Sequence, residues 1–520
     1  MHKSFLKSFV LAVVTALAVM LTPSALAQVV TSGLAGTVRS NDGSPISGAT
    51  VTAVFTPTNA TFTSTTSATG RYQFGGLPVG GPYTITTSAA GYASEPTTGI
   101  TTELGNTIDV NLSMKSDVLK LEKFVATGTR NELDASSTGA TTLLTSARLA
   151  AKPTTQRSLA DLVSTTPGIT LRALSGDREE AMITAVGQNN RYNKWMIDGN
   201  LINDQFGLNS TGLASFFNPL ALDTIEQLSI QISPYDTRYS GFTGATINAV
   251  TKSGTNEFHG SAYYIFSGDH LFGKQMQGPD ARTLVQSGVK VVPKLDRTTK
   301  GLTFGGPLWK DHVFFFLNWE KFNRIGAPSS AGLPGVSAAD LATIDARVAA
   351  ITKVNYGHLG GNANSVANDE KKQLKLDWQI NRNHRLSTRY TTTEGQVPQF
   401  GSFTTTSFGS GLNNNGAFAN LVGGAATSYD SHFYAQTRKE KSLSAELFSQ
   451  WSSDLKTDLK WSHVKQDQYT PTAVTAPEID IFGVTGTNQA GATITNGVVV
   501  LGTERFRHGN QINADTKNYS

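Results

Sequence analysis

Apolar and polar residues alternate one by one through much of the C-terminal half of this chain. Val313, Phe315, Leu317 and Trp319 are apolar, while the intervening Phe314, Phe316, Asn318 and Glu320 turn polar. Period two is the signature of a strand, because successive side chains leave opposite faces. The rhythm returns at Leu374, Leu376, Trp378 and Ile380, set against Gln373, Lys375, Asp377 and Gln379. It returns again at Leu443, Ala445, Leu447 and Trp451, and at Leu455, Leu459 and Trp461, the last set opposed by Lys456, Asp458, Lys460 and Ser462. Charges on one face of many strands and apolar side chains on the other predict an antiparallel transmembrane β-barrel wall with a wet interior. Val313, Phe315, Leu317, Trp319, Leu374, Leu376, Trp378 and Ile380 are the expected lipid-facing residues.

Connection lengths point the same way. Turns at 307–312, 381–384 and 452–454 are short, while those at 323–369, 395–428 and 468–498 are long. Short turns at one rim and long loops at the other are the habit of outer-membrane barrels. In one long loop, Ser337 is a candidate N-cap for a short helix with Leu341, Ile344, Val348 and Ile351 on one face. The pattern yields roughly eight strands before Ser520. An eight-strand barrel is filled by its own side chains, whereas plugged transporters use about 22 strands. The expectation is therefore a fragment that carries only the first part of the barrel, over 255–520, with a separate polypeptide completing the wall or a non-functional truncation as the alternatives.

The N-terminal half reads differently. Lys3 and Lys7 precede an apolar run from Phe9 to Leu21 that ends in Ala25-Leu26-Ala27. This predicts a secretory signal, residues 1–27, cut after Ala27. The apolar run is shorter than the ~20 residues a spanning helix needs. From 32 to 114, short alternating runs are broken by Asp42-Gly43, Ser47-Gly48, Thr69-Gly70 and Gly80-Gly81-Pro82, which predicts a small antiparallel sandwich. A linker follows at 115–129. Residues 130–254 mix strands with a helical piece near 158–164, and Asp198-Gly199 turns a strand.

Specific residues carry a resemblance. Gly36, Val38, Asp42-Gly43, Gly48-Ala49, Gly70-Arg71-Tyr72, Leu77-Pro78, Gly81, Tyr83 and Gly91-Tyr92 resemble the carboxypeptidase regulatory-like domain, a transthyretin-like sandwich also classed as carbohydrate-binding-like. The ordered stretches "TTPGI", "MIDGN", "LDTIEQLSI" and "GATINAVTKSGTNEFHGSAYY" resemble the plug of TonB-dependent outer-membrane receptors. "GLTFGGPLWKDHVFFFLNWEKF" is similar to the Oar-like subgroup. The chain departs from the family at Ala185-Val186-Gly187, where an Arg-Gly pair is frequent.

The resemblance implies import of a ligand (siderophore, glycan or peptide) through the outer membrane of a Gram-negative bacterium, with the N-terminal domain in the periplasm and energy drawn from TonB. The partner would grip an extended segment before the plug by strand addition. Leu121, Glu122, Lys123, Phe124, Val125, Ala126 and Thr127 are the candidate, with an ordinary first plug strand as the alternative. Two other readings are an outer-membrane structural or adhesion protein and a carbohydrate-binding module displayed on a barrel.

Composition narrows the chemistry. The absence of cysteine removes disulfides, thiol catalysis and Cys-ligated metals. The net charge of +4 is small and dispersed, which argues against nucleic acid as a partner. The nine His lack paired ligand spacing, and no phosphate loop, nucleophile elbow or dinucleotide fingerprint occurs. The expectation is no catalytic, cofactor-binding or metal-binding residue, and no enzyme.

Overall fold

A computed structural model describes residues 30–116, 140–152, 157–173, 181–206, 209, 211–232, 241–268, 271, 295–326, 335–357, 365–399, 426–452, 455–471, 475–487, 493–503 and 511–519. The proposed cleavage site at Ala27 and the candidate coupling segment from Leu121 to Thr127 lie outside the described residues.

Elements are numbered along the chain. The first nine strands are β1 (Ser32–Ser40), β2 (Thr50–Phe55), β3 (Ala60–Thr65), β4 (Arg71–Leu77), β5 (Gly80–Ser88), β6 (Tyr92–Ala93), β7 (Thr97–Thr102), β8 (Thr107–Asp109) and β9 (Leu112–Ser116). They form a two-sheet sandwich. One sheet has the order β4-β1-β9-β6, with β8 also on β1, and the other β3-β2-β5-β7. Alternate residues, among them Leu34, Val51, Ala53, Tyr72, Phe74, Tyr83 and Ile85, fill the core between the sheets.

The second unit holds β10 (Ala140–Thr145), α1 (Ser146–Ala151), α2 (Leu159–Val163), β11 (Ile169–Ala173), β12 (Ala181–Ala185), β13 (Lys194–Ile197), β14 (Asn200–Leu201), β15 (Ile225–Ile232) and β16 (Ala245–Thr251). Its sheet runs β10-β15-β16-β13-β14, beside the hairpin β11-β12. Ser158 caps α2 by accepting from the Ala160 N–H. Every residue of β13 and β16 is buried, and nearly every one of β15. Both faces of this sheet are covered, which is why period two fails here while it governs the rest of the chain.

The third unit is an antiparallel sheet of eight long strands: β17 (His259–Gly268), β18 (Leu295–Trp309), β19 (Val313–Gly326), β21 (Ser365–Gln379), β22 (His384–Gln399), β24 (Tyr434–Gln450), β25 (Lys456–Tyr469) and β28 (Gln511–Tyr519). Its order follows the chain, and β17 and β28 are its edges rather than partners, so among the described residues the sheet is not closed. Several strands run 14 to 17 residues, beyond the ~9–11 that a tilted strand needs to cross a bilayer.

The long connections build a layer of their own. β20 (Gly335–Val336), β23 (Ala426–Ser428), β26 (Ile479–Thr487) and β27 (Thr493–Leu501) form a sheet of order β20-β26-β27-β23. Helix α3 (Ala338–Thr352) packs on it through Leu341, Ile344 and Val348, with Tyr429, Val499 and Leu501 beneath. Ile351, expected on the same helix face, is instead 80 % exposed, while Val354 and Tyr356, just past the helix, pack on this cluster. Sequence spacing ends the last long loop near 498, but β27 belongs to this cap and the eighth wall strand begins only at Gln511. Apolar runs such as Val498–Leu501 do not announce which of two sheets they will join.

Candidate functional site

The plug unit lies against the inner face of the wall, and cross-strand register explains how it is held. On the outer face, one row crosses five strands: Phe304 pairs Leu317, Leu317 pairs Leu374, Leu374 pairs Tyr390, and Tyr390 pairs Leu443. All five are exposed. Among the residues expected on this face, Leu317, Leu374, Trp378 and Ile380 are exposed, and Val313, Phe315, Trp319 and Leu376 are half-buried. Trp319 donates its ring N–H to Glu370 at 2.8 Å.

Three residues along the strands, an inner row does the opposite. Glu320 pairs Lys371, Lys371 pairs Thr393, Thr393 pairs Glu440, and Glu440 pairs Gln466. All five are buried. The Lys371 ammonium bridges Glu320 Oε1 at 2.9 Å and Asp369 Oδ2 at 2.6 Å. Tyr263 donates to Glu320 Oε2 at 2.7 Å. Its ring reaches that carboxylate by lying over Gly301, where a Cβ would come within 2.3 Å of the ring.

The plug is tied to this same row. The Arg157 guanidinium stands 4.0 Å from Glu320 and 4.7 Å above the Tyr263 ring, and it also pairs Asp223 of the plug. The Thr393 hydroxyl donates to the Pro219 carbonyl at 3.3 Å. The Gln466 amide donates to the Asn203 carbonyl at 3.3 Å and to Glu440 at 3.1 Å. Between these ties, Phe216 sits 3.7 Å under the Arg438 guanidinium, and Phe217 packs on Phe322.

A second latch lies nearer the short turns. Lys375 and Arg389 are direct cross-strand partners, an arrangement of like charges that a sheet resists. Asp198, at the β13–β14 turn, is placed against them. Arg389 donates to its Oδ2 at 2.6 Å, the Thr251 hydroxyl donates to the same oxygen at 2.7 Å, and the Thr251 N–H donates to Oδ1 at 2.7 Å. Lys375 donates to the Thr251 carbonyl at 3.0 Å. Burial works to raise the Asp198 pKa, but the Lys375 and Arg389 charges and the Thr251 hydrogen bonds outweigh it and hold the carboxyl below 3.8. Asp198 takes a positive φ of 47°, which Asp accepts more readily than most residues.

The sandwich meets both other units at the short-turn end. The Gln227 amide donates to the Thr102 carbonyl at 2.9 Å and accepts from the Leu104 N–H at 3.0 Å. Asn59 donates to Asp311, in the β18–β19 turn, at 2.8 Å. Glu226, beside Gln227, has its pKa raised above 4.5, chiefly by burial, with Lys252 and Lys375 opposing. A raised acid stabilises the fold fully below its unfolded pKa and loses that contribution as pH rises through the folded value. Glu226→Gln is therefore expected to raise the melting temperature in detergent at pH 7.5 and to leave it unchanged near pH 4. Equal effects at both pH values would contradict this.

Sequence spacing marks Lys375 and Asp377 as inward-facing, but not their partners. Asp198 is legible only as a turn residue, and Arg157, Glu320, Lys371 and Arg389 are missed as a set. The available signal is the polar side of the alternation, which marks the inward charges without saying what they face. Among the described residues, no group of three His, Asp or Glu is placed to hold a metal ion, and no helix is long and apolar enough to cross a membrane.

Comparison with known families places three matches in the order of the three units. Residues 33–115 match the Carboxypeptidase regulatory-like domain, residues 134–246 the TonB-dependent Receptor Plug Domain, and residues 250–342 an Outer membrane beta barrel domain. The TonB-dependent transporter Oar of Myxococcus xanthus is 28% identical over 266 residues, covering 49% of this chain and 23% of that protein. The ferric enterobactin receptor of Pseudomonas aeruginosa superposes with a TM-score of 0.41 at 12% identity, covering 74% of this chain and 45% of the receptor. The outer membrane transporter YddB of Escherichia coli gives 0.42 at 13%, covering 73% and 53%. The chain thus spans less than a quarter of the curated relative and about half of each solved structure.

Proposed function

The chain belongs to the TonB-dependent receptors of the Gram-negative outer membrane, with a regulatory-like domain ahead of its plug, and on that premise we propose that it imports a ligand by TonB-driven displacement of the plug. The observation that carries this reading is the character of the plug's seat. The wall turns apolar residues outward and holds the plug by ion pairs and hydrogen bonds to an inner polar row. Water can replace such contacts as the plug moves, which a dry apolar seat does not allow.

The mechanical route follows from the topology. Among the described residues β10 is an edge strand, paired with β15, and the linker enters it at Ala140. Thr145 pairs Gln227 at the sandwich end, so Ala140 is the end of β10 farther from the sandwich. A pull from the periplasm on the linker peels β10 back along itself and loads its hydrogen bonds one after another. Val313, Phe315, Leu317, Trp319, Leu374, Leu376, Trp378 and Ile380 face lipid in this reading, and the short turns and the sandwich lie in the periplasm. The cargo is a ligand too large or scarce for porins, with siderophore, glycan and peptide as the candidate classes.

The coupling segment is proposed to be Leu121 to Thr127. Val125→Pro removes a backbone donor from it. With the periplasmic C-terminal domain of TonB as the probe, binding to the chain is expected to fall about tenfold or more in this variant, given that main-chain hydrogen bonds supply the affinity. Unchanged binding would remove the segment from this role, and no binding by the unsubstituted chain would remove TonB coupling itself. The carbohydrate-module alternative finds little support in the sandwich: Tyr72, Phe74 and Tyr83 are in its core, and Tyr92 is its exposed aromatic.

A further inference from the structure

The sandwich and the other two units line a cavity of about 220 Å³ at their seam. Its two sides differ in chemistry. The sandwich contributes uncharged groups such as Phe55, Pro57, Pro78 and Val79. The plug and wall contribute Asp198, Glu226, Lys375, Asp377, Arg385 and Glu446. Asp377 Oδ2 and Arg385 Nη1 are buried there without a protein hydrogen-bond partner. A roof that offers no charge to a floor carrying both signs is not a matched interface. It is a chamber with an apolar roof and a charged floor, and the unpaired floor atoms can be satisfied by water or by a polar group of a solute.

Among the described residues, the rim of this chamber includes the Gln227 clamp on Thr102 and Leu104, the Asn59–Asp311 hydrogen bond, the Asn256 N–H on the Pro57 carbonyl at 2.8 Å, and a small apolar cluster of Leu104, Leu143, Val250 and Val79. Phe448 of the wall rests on Gly76 of the sandwich, where any Cβ would come within about 2.0 Å of the ring. Hydrogen bonds of this kind, which water can replace, suit a domain that docks and undocks.

We infer that the N-terminal sandwich is a detachable lid over an exit chamber with a charged floor at the short-turn mouth, and that it must swing off before a solute leaves. The linker supplies the means: it leaves β9 at Ser116 and enters β10 at Ala140, so one pull loads the lid and the plug's edge strand together. The driven swing rests on the TonB reading, but detachability does not, and the test isolates it.

The chain has no cysteine, so single thiols report cleanly. Ser387→Cys places a thiol on the chamber floor, and Ser47→Cys places one on an exposed turn. The full chain in detergent micelles is treated with a bulky maleimide, with no TonB present. Labelling at Ser387→Cys is expected to be about tenfold slower than at Ser47→Cys, since it waits on local opening. Loosening the rim with Gln227→Ala and Asp311→Ala should speed it several-fold. Locking the rim with an oxidised Pro57→Cys and Asn256→Cys pair, whose backbones already meet, should slow it further. Equal rates at the two thiols would overturn the lid. A rate that the lock does not lower would also overturn it, and this decides the matter alone if the loosened chain loses its sandwich core.

Discussion

Lys371→Met is expected to destabilise the wall and its seated plug by about 3–5 kcal/mol, the cost of leaving buried charge without its partner. Lys371 is the shared cation of Glu320 and Asp369, and all three side chains are less than a tenth exposed. Removing it strands two carboxylates and leaves Glu320, among the described residues, with Arg157 at 4.0 Å as its cationic partner. The loss is to be read as a lowered urea midpoint in detergent micelles, with protease access to the plug as a second probe. Adding Glu320→Gln and Asp369→Asn to Lys371→Met should recover most of the midpoint, because a neutral hydrogen-bonding set replaces the broken charge set. A Lys371→Met midpoint within error of the parent would show that this row does not hold the sheet and plug together.

The second large effect is expected at Asp198. Asp198→Ala leaves Lys375 and Arg389 facing each other across β21 and β22 without the carboxylate that joins them, and it removes the acceptor of the Thr251 N–H. A loss of about 3–5 kcal/mol is again the scale for one partner removed from a buried pair. Arg389→Met in the Asp198→Ala background should restore part of it, since the repulsion goes with the second cation. Linkage sets the pH behaviour. A carboxyl with a depressed pKa contributes stability above its unfolded value and loses it as pH falls through the folded one. The Asp198 pKa is lowered from 3.8, so the penalty of Asp198→Ala should stay level from about pH 5 to about pH 8 and shrink only in stronger acid. A penalty that already disappears at pH 6 would mean that Asp198 is not the anion of this latch.

Much of the molecule was legible before any coordinates. Strict alternation at 313–320 and 373–380 marks strands and separates their faces, because a period of two leaves no other assignment. Glycine-punctuated short runs mark the sandwich, and "PG" after Leu159–Val163 marks where α2 must stop. The plug was harder to read from pattern. Its strands are covered on both faces, so their sequence shows continuous burial rather than rhythm, and the resemblance of its motifs carried the reading instead. The cap sheet escaped notice because three separate loops supply its strands, and no local signal tells a loop that it will pair with another far along the chain.

The sequence by itself determined which residues face the apolar side and which the polar side, where the chain turns, and the order of sandwich, plug and wall, because those depend on neighbours a few positions away. Only the tertiary structure decided that Glu320, Lys371, Thr393, Glu440 and Gln466 fall in one row, that Asp198 meets Arg389, and that the sandwich roofs a chamber. Charge pairing and cavity shape depend on register and docking between segments up to hundreds of residues apart, and Coulombic partners are chosen by distance in space, which spacing along the chain does not encode.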